Sequence, residues 1–409
     1  MYIGKILVSG LGPVGGFFVT YLSHKWGPEN VDITVYDPML GKFSRKQILT
    51  IQPEIMKLID NNFPTSISKK FHKNGCYVKN PAFDSNGKCY KTPTSEGFFT
   101  MRTSTMEQIF YNHIRTKLRK NVTLVKQKLP TNLDLTKYDY IISSSGGRDH
   151  LNQLIGNKYR KEYLSNALIV TFDPKNRKVF NQETDGVSTA RRSVDDKQLR
   201  YRGYKSRTGN YYLGVQLGKH EIEGLQSFVD QHGDITCKNM PPALDSILKN
   251  AFNKYEIDGI KCKTLEITFF PIVRQIASVP VAFLKSDRVG SGPLVFLVGD
   301  TLATPHFFSG VGVNSGFRAG YFLGNLLGQT GDRNFIKRKY TKEAKEIQNF
   351  LAKMSHQVTL NMDNVDLMCE KHNKEEIYKI AREHRLIPEG MSKKEVCLSI
   401  GRLMLKKKK

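Results

Sequence analysis

The sequence predicts an α/β protein: a three-layer domain built on a parallel sheet, a mainly antiparallel sheet domain inserted into it, and a helical C-terminal tail. Three observations predict this. Short apolar, β-branched runs that end in glycine turns occur at Ile3–Ser9, Tyr138–Ser143 and Leu294–Val298, the pattern of buried parallel strands. Between the last two, alternating runs at Ala167–Phe172, Tyr211–Leu217 and Thr264–Val279 indicate strands with one covered face. After Gly331 the chain becomes helical and strongly basic. The implied organisation is 1–157 for the first part of the α/β domain, with a polar excursion at 65–97 that is either a small sheet or irregular. Residues 158–285 follow as the inserted sheet domain, 286–330 as the return segment and 331–409 as the basic helical region.

The length of 409 residues is enough for two domains and a large core. A formal charge of +25 and a pI near 9.7 imply attraction to acidic surfaces such as nucleic acid, anionic membrane or an acidic protein; the other reading is a solvated lysine-rich surface. The six cysteines are scattered, without CxxC pairs or metal-ligand spacing. They read as reduced thiols of a cytoplasmic chain, with Cys76 and Cys89 the one pair worth testing. No uncharged apolar run reaches membrane-spanning length, so a soluble chain without a membrane span or metal site is expected.

The first strand is followed at once by Gly10-Leu-Gly12-Pro13-Val14-Gly15, then by an apolar helix from Phe17, and then by the strand Val31–Tyr36, which ends at Asp37. Gly10 permits a tight turn, Gly12 lets backbone approach a diphosphate, and Gly15 allows close helix–strand packing. Asp37 is placed to accept ribose hydroxyls. In this setting the glycine pattern marks a Rossmann-like site for an adenine dinucleotide, FAD or NAD(P).

Lys42–Thr50 is a basic loop in which Arg45 is a candidate phosphate contact or a solvated surface arginine. Phe98–Lys117 starts as a strand and turns helical, with Met106, Ile109, Phe110, His113 and Ile114 on one face and Arg102 at the junction. Tyr138–Ser143 runs into a second glycine turn, Ser145-Gly146-Gly147-Arg148. Leu294–Val298 ends at Gly299-Asp300, and a loop with Pro305, Gly310, Val311 and Gly312 leads to a helix beginning near Asn314. A lone carboxylate at a strand end, before a glycine loop and a helix start, suits a polyhydroxylated, phosphate-bearing ligand. Helices are also expected at Ile222–Val229, Ala243–Tyr255 and Phe335–Leu360. A final helix is expected after the capping box Ser392-x-x-Glu395.

Together these segments resemble the group A flavoprotein monooxygenases, the p-hydroxybenzoate hydroxylase-like superfamily, over most of residues 1–330. Phe43-Ser-Arg45 and the following helix are most similar to the flavin module of the MICAL enzymes. The resemblance implies an FAD site: Gly10–Gly15 and Asp37 for the ADP half, Arg45 and Arg102 as further contacts, and Asp300 for the ribityl chain. Pro305, Gly310–Gly312 and Asn314 would lie at the flavin ring. It also implies an FAD-dependent monooxygenase that is reduced by NADPH or NADH and hydroxylates, through a flavin hydroperoxide, a substrate in an interdomain pocket. Gly146 stands where the second motif has aspartate, and Thr301-Leu302 replace a small pair. His306 is either a base near the flavin or a packed residue. The single tryptophan, Trp26, removes the two-tryptophan halogenase motif. The other reading is a flavin-fold binding protein for an acidic partner, since Ile377–Leu403 faintly resembles a SAP-type DNA-binding helix pair.

Overall fold

The computed structural model describes residues 2–45, 47–78, 98–147, 149–173, 175, 187–194, 197–205, 211–217, 219–254, 259–284, 292–306, 310–360, 374–383 and 396. Arg148, Cys89, the 206–210 turn and the Ser392 capping box lie outside them. Met1–Leu351 forms one compact unit, which contains all three sheets, and Ala352–Lys409 a second.

The central sheet has the order β13-β14-β7-β1-β2-β6. Strands β1 (Gly4–Ser9), β2 (Val31–Tyr36), β6 (Val122–Val125), β7 (Tyr140–Ser143) and β14 (Leu294–Leu297) run parallel. The edge strand β13 (Val281–Phe283) is antiparallel. Ile6, Leu7, Val8, Ile141, Ile142 and Phe296 are fully buried, so both faces of the sheet are covered at these positions; this is why the inner strands read as unbroken apolar runs. On one face α1 (Pro13–Trp26) packs against α8 (Gly312–Leu327), with Phe17 and Phe317 stacked at 4.5 Å between ring centroids. Phe110 of α4 (Thr103–Lys117) meets Phe317 edge-on. Towards β14, Tyr340 of α9 (Arg333–Leu360) is fully buried and donates its hydroxyl to the Leu297 carbonyl at 2.6 Å.

The second sheet, β12-β8-β11-β10-β9, is antiparallel throughout its described pairs. It comprises β8 (Tyr159–Phe172), β9 (Val187–Val194), β10 (Lys197–Lys205), β11 (Tyr211–Leu217) and β12 (Glu266–Ala277). Leu168, Val170, Leu213 and Val215 on one face pack against Leu225 of α6 (Lys219–His232) and Leu244 and Leu248 of α7 (Pro242–Lys254). This sheet therefore has a core of its own. Ser165 of β8 instead meets His306, from the loop after β14.

A third, small sheet, β3-β5-β4, joins β3 (Ile48–Ile51), β5 (Phe98–Arg102) and β4 (Cys76–Val78). The polar stretch 65–97, expected as a small sheet or an irregular excursion, supplies β4 to this sheet. Its first part is a helix, Thr65–Asn74, anchored by buried Ile67 and Phe71, with Phe71 against Phe110. Two apolar positions in a lysine-rich decapeptide are too weak a periodicity to announce it. The cysteines also differ from expectation. Cys237 and Cys262, 25 residues apart in sequence, have their Cα atoms 5.6 Å apart and form a disulfide, and Cys76 is disulfide-bonded too. Disulfides persist where surroundings are oxidising, so the cysteines no longer argue for a reducing compartment. Among the described residues no helix is long and apolar enough to cross a membrane, and no cluster of potential metal ligands occurs.

Candidate functional site

Two positions of the turn after β1 require glycine. Gly10 has φ +96°, a left-handed conformation that costs other residues strain. A Cβ on Gly15 would collide with the Gly10 carbonyl. Pro13 opens α1, where an N–H would in any case lack an intrahelical partner. Gly12, the residue before α1, offers no side chain to cap it, so the first N–H groups of the helix remain available to an anion. Asp37, at the end of β2, accepts the Leu11 N–H at 2.6 Å through Oδ2 and the Met39 N–H at 2.7 Å through Oδ1. The short aspartate side chain is thus tied to the turn, and each oxygen retains a further lone pair for a ribose hydroxyl.

The loop after β2 folds back over this turn. Thr103 at the start of α4 holds it, donating its N–H and its hydroxyl to the Gln47 carbonyl at 2.8 and 2.9 Å. Arg45 then pairs with Glu107 of α4, Nε to Oε1 at 3.3 Å. A Cβ on Gly12 would lie 3.6 Å from Arg45 Nη2 and 3.9 Å from Glu107 Oε1, so the pair sits directly over the turn. Glu107 is 6% exposed. Burial pushes its pKa up to about 6; Arg45 works against the shift and Asp37 adds to it. Arg102, at the junction of β5 and α4, carries a buried Nε with no hydrogen-bond partner.

The second half of the site lies at the end of β14. Gly299 packs against the Val14 side chain, 3.1 Å from Cγ2 to the position of a Cβ, and Gly316 of α8 closes on the same methyl group. Val14 thereby joins the dinucleotide turn to the Gly299–Asp300 turn. Asp300, Pro305 and Gly312 are neighbours: a Cβ on Gly312 would be 3.1 Å from Pro305 Cγ and 3.9 Å from Asp300 Oδ1. Val311 precedes α8 without a side-chain cap, so this helix start also presents free N–H groups, beside Gly310 (φ +67°). Asn314 has a different task. Its Oδ1 accepts the Gln52 N–H at 2.9 Å, and its Nδ2 donates to the carbonyls of Thr50 and Gly310 at 2.8 and 3.1 Å. It pins β3 and the glycine loop to α8.

The two departures at the second turn meet each other. Gly146 and Gly147 donate their N–H groups to Thr301 Oγ1 at 3.0 and 3.2 Å. A carboxylate is still present at this turn, from Asp149, whose Oδ2 accepts the hydroxyls of Ser143 and Ser145, both at 2.8 Å. Tyr159 closes the group by donating to the Thr301 carbonyl at 2.9 Å; burial, then the Asp149 charge, raises its pKa to about 12. His306 is fully buried, with Nε2 2.9 Å from Ser165 Oγ, which makes it a packed contact between the loop and the second sheet.

Sequence reasoning missed Glu107 and Asp149, and it marked Thr301 only as a departure from the motif. For Glu107 a signal existed: it lies three residues before Phe110 on the apolar face of α4, where a carboxylate needs a partner. The assembled residues fit FAD. Two uncapped helix starts face one junction, Arg102 has an unused buried donor, and Gly12 leaves room beneath Arg45.

The chain shares its fold with solved structures of FAD-dependent oxygenases and of a halogenase. The oxygenase of 2-methyl-3-hydroxypyridine-5-carboxylic acid shares it at 12% identity, over 87% of this chain and 90% of that one, with a TM-score of 0.62. The OxyS anhydrotetracycline hydroxylase from Streptomyces rimosus does so at 13% identity, over 98% and 75%, with a TM-score of 0.59. CmlS, a flavin-dependent halogenase, does so at 15%, over 99% and 77%, also at 0.59. No family model and no curated protein matches the chain by sequence. At these identities the likeness concerns fold, and one fold carries both hydroxylation and halogenation.

Proposed function

We propose that this chain is an FAD-dependent monooxygenase that takes electrons from NADPH or NADH and hydroxylates a substrate held between the central and the second sheet. The observation that carries the reading is the contact of Val14 with Gly299 and Gly316. It supports reading the adenine-dinucleotide turn and the Asp300 turn as two halves of one site. The bound flavin would supply the redox chemistry, as cofactors of this kind do. The α1 start, Arg45 and Arg102 would hold the diphosphate region, Asp37 the adenosine ribose and Asp300 the ribityl hydroxyls. Free N–H groups at the α8 start would face a ring carbonyl.

The test is oxidation of NADPH or NADH in air by the FAD-loaded protein, followed by mass spectrometry of candidate substrates. Reductant-dependent gain of one oxygen atom by a product is expected. A loaded flavin that neither nucleotide reduces would overturn the choice of electron donor. A reducible flavin that oxygenates nothing would favour a reductase.

The charge of +25 supports an additional role, binding of an acidic macromolecule by the basic surface. Retention on immobilised nucleic acid should then fall steeply with salt and should weaken when 331–409 is deleted. Full passage of the intact chain at low salt would exclude it.

A further inference from the structure

A diphosphate laid against Gly12 meets Glu107 as well as Arg45. The carboxylate is buried, its Oε1 is 3.9 Å from where a Gly12 Cβ would stand, and its cation partner Arg45 is as close on the same side. Among the described residues the charged groups that face Glu107 are Arg45, from the loop after β2, and Asp37, from the end of β2. The α1 turn contributes backbone. An anion arriving here competes for the guanidinium and leaves a buried carboxylate beside negative oxygens, an arrangement that favours the protonated acid.

We propose that Glu107 is a positioning residue for the dinucleotide: it holds the Arg45 guanidinium over Gly12 until a diphosphate diester binds, then yields Arg45 to the phosphates and takes one proton from solvent. This rests on the FAD-site reading. Between the free-state and bound-state pKa values up to one H⁺ moves from buffer to Glu107 for each dinucleotide bound, and it is returned on release. Because burial already holds the free acid near a pKa of about 6, binding raises that value further. The sign follows. Affinity is full below about pH 6 and falls by up to about tenfold per pH unit above it, until the bound-state pKa is reached. His113, also on the inner side of α4, is held down to about 4, chiefly by burial, and stays neutral throughout this window.

FAD and ADP-ribose are suitable probes, since neither diphosphate diester exchanges a proton of its own near neutrality. Their binding would be measured by calorimetry at about pH 6 and about pH 8, in two buffers of different ionisation enthalpy. The expected result is binding at least about tenfold weaker at the higher pH, with a net uptake of up to one proton per dinucleotide, about half a proton at most at the lower pH. Glu107→Gln should bind with level affinity across the range and without proton uptake. FAD binding that is tight but independent of pH and buffer overturns the role of Glu107 and leaves the flavin site standing. Failure of FAD to bind at any pH overturns both. If Glu107→Gln does not fold, the two-buffer measurement on the unaltered chain decides alone.

Discussion

The sequence places Arg102 and Asn314 in one cofactor site, and in the structure their side chains differ in what they bond. Arg102 has a buried Nε without a partner, so it gains from a ligand. Asn314 uses its amide on Gln52, Thr50 and Gly310, so it serves the frame. Arg102→Ala should therefore weaken FAD binding by about 1.5–3 kcal/mol, the worth of a charge-assisted hydrogen bond, and leave the urea midpoint close to that of the parent. Asn314→Ala should lower stability by about 1–3 kcal/mol, because it leaves buried backbone groups unpaired. Paired binding and unfolding curves would check this, and equal stability losses in the two variants would contradict it. The residue type and the turn spacing were legible at both positions. The partners were not, since Gln52 lies far away along the chain and only packing of β3 against α8 brings it to Asn314.

At the scale of elements, the strand–turn–helix segments could be read because each carries its signal locally: an apolar run, a glycine, a helix start. What could not be read were elements whose order comes from neighbours, such as Thr65–Asn74 leaning on Phe110 through Phe71, or a disulfide closed by the fold. The packing of α1 on α4 adds a consequence for pH. His24 and His113 face each other with Nε2 atoms 2.7 Å apart, so one ring donates and the other must accept through a lone pair. Burial lowers the pKa of both, that of His113 to about 4, with His24, Lys70 and Lys117 lowering it further. A histidine whose folded-state pKa is depressed leaves stability intact above its unfolded value of about 6.5 and removes it as pH falls toward the folded value. Urea midpoints should accordingly drop between about pH 7 and about pH 5 by more in the parent than in His113→Phe. Equal drops would show that the pair does not titrate with unfolding.

For the whole molecule, one unit, Met1–Leu351, carries a cofactor-type sheet and a second sheet with its own core. The contact of His306 with Ser165 is one point at which they meet. The claim on which the rest depends is that the turn after β1 and the turn after β14, joined at Val14, form a single FAD site. Its most direct test is the visible absorption of the purified chain before and after addition of FAD, read beside that of Asp300→Ala. An oxidised-flavin spectrum at one FAD per chain, with occupancy sharply lower in the variant, is the predicted result. A colourless protein that rejects added FAD would contradict the claim.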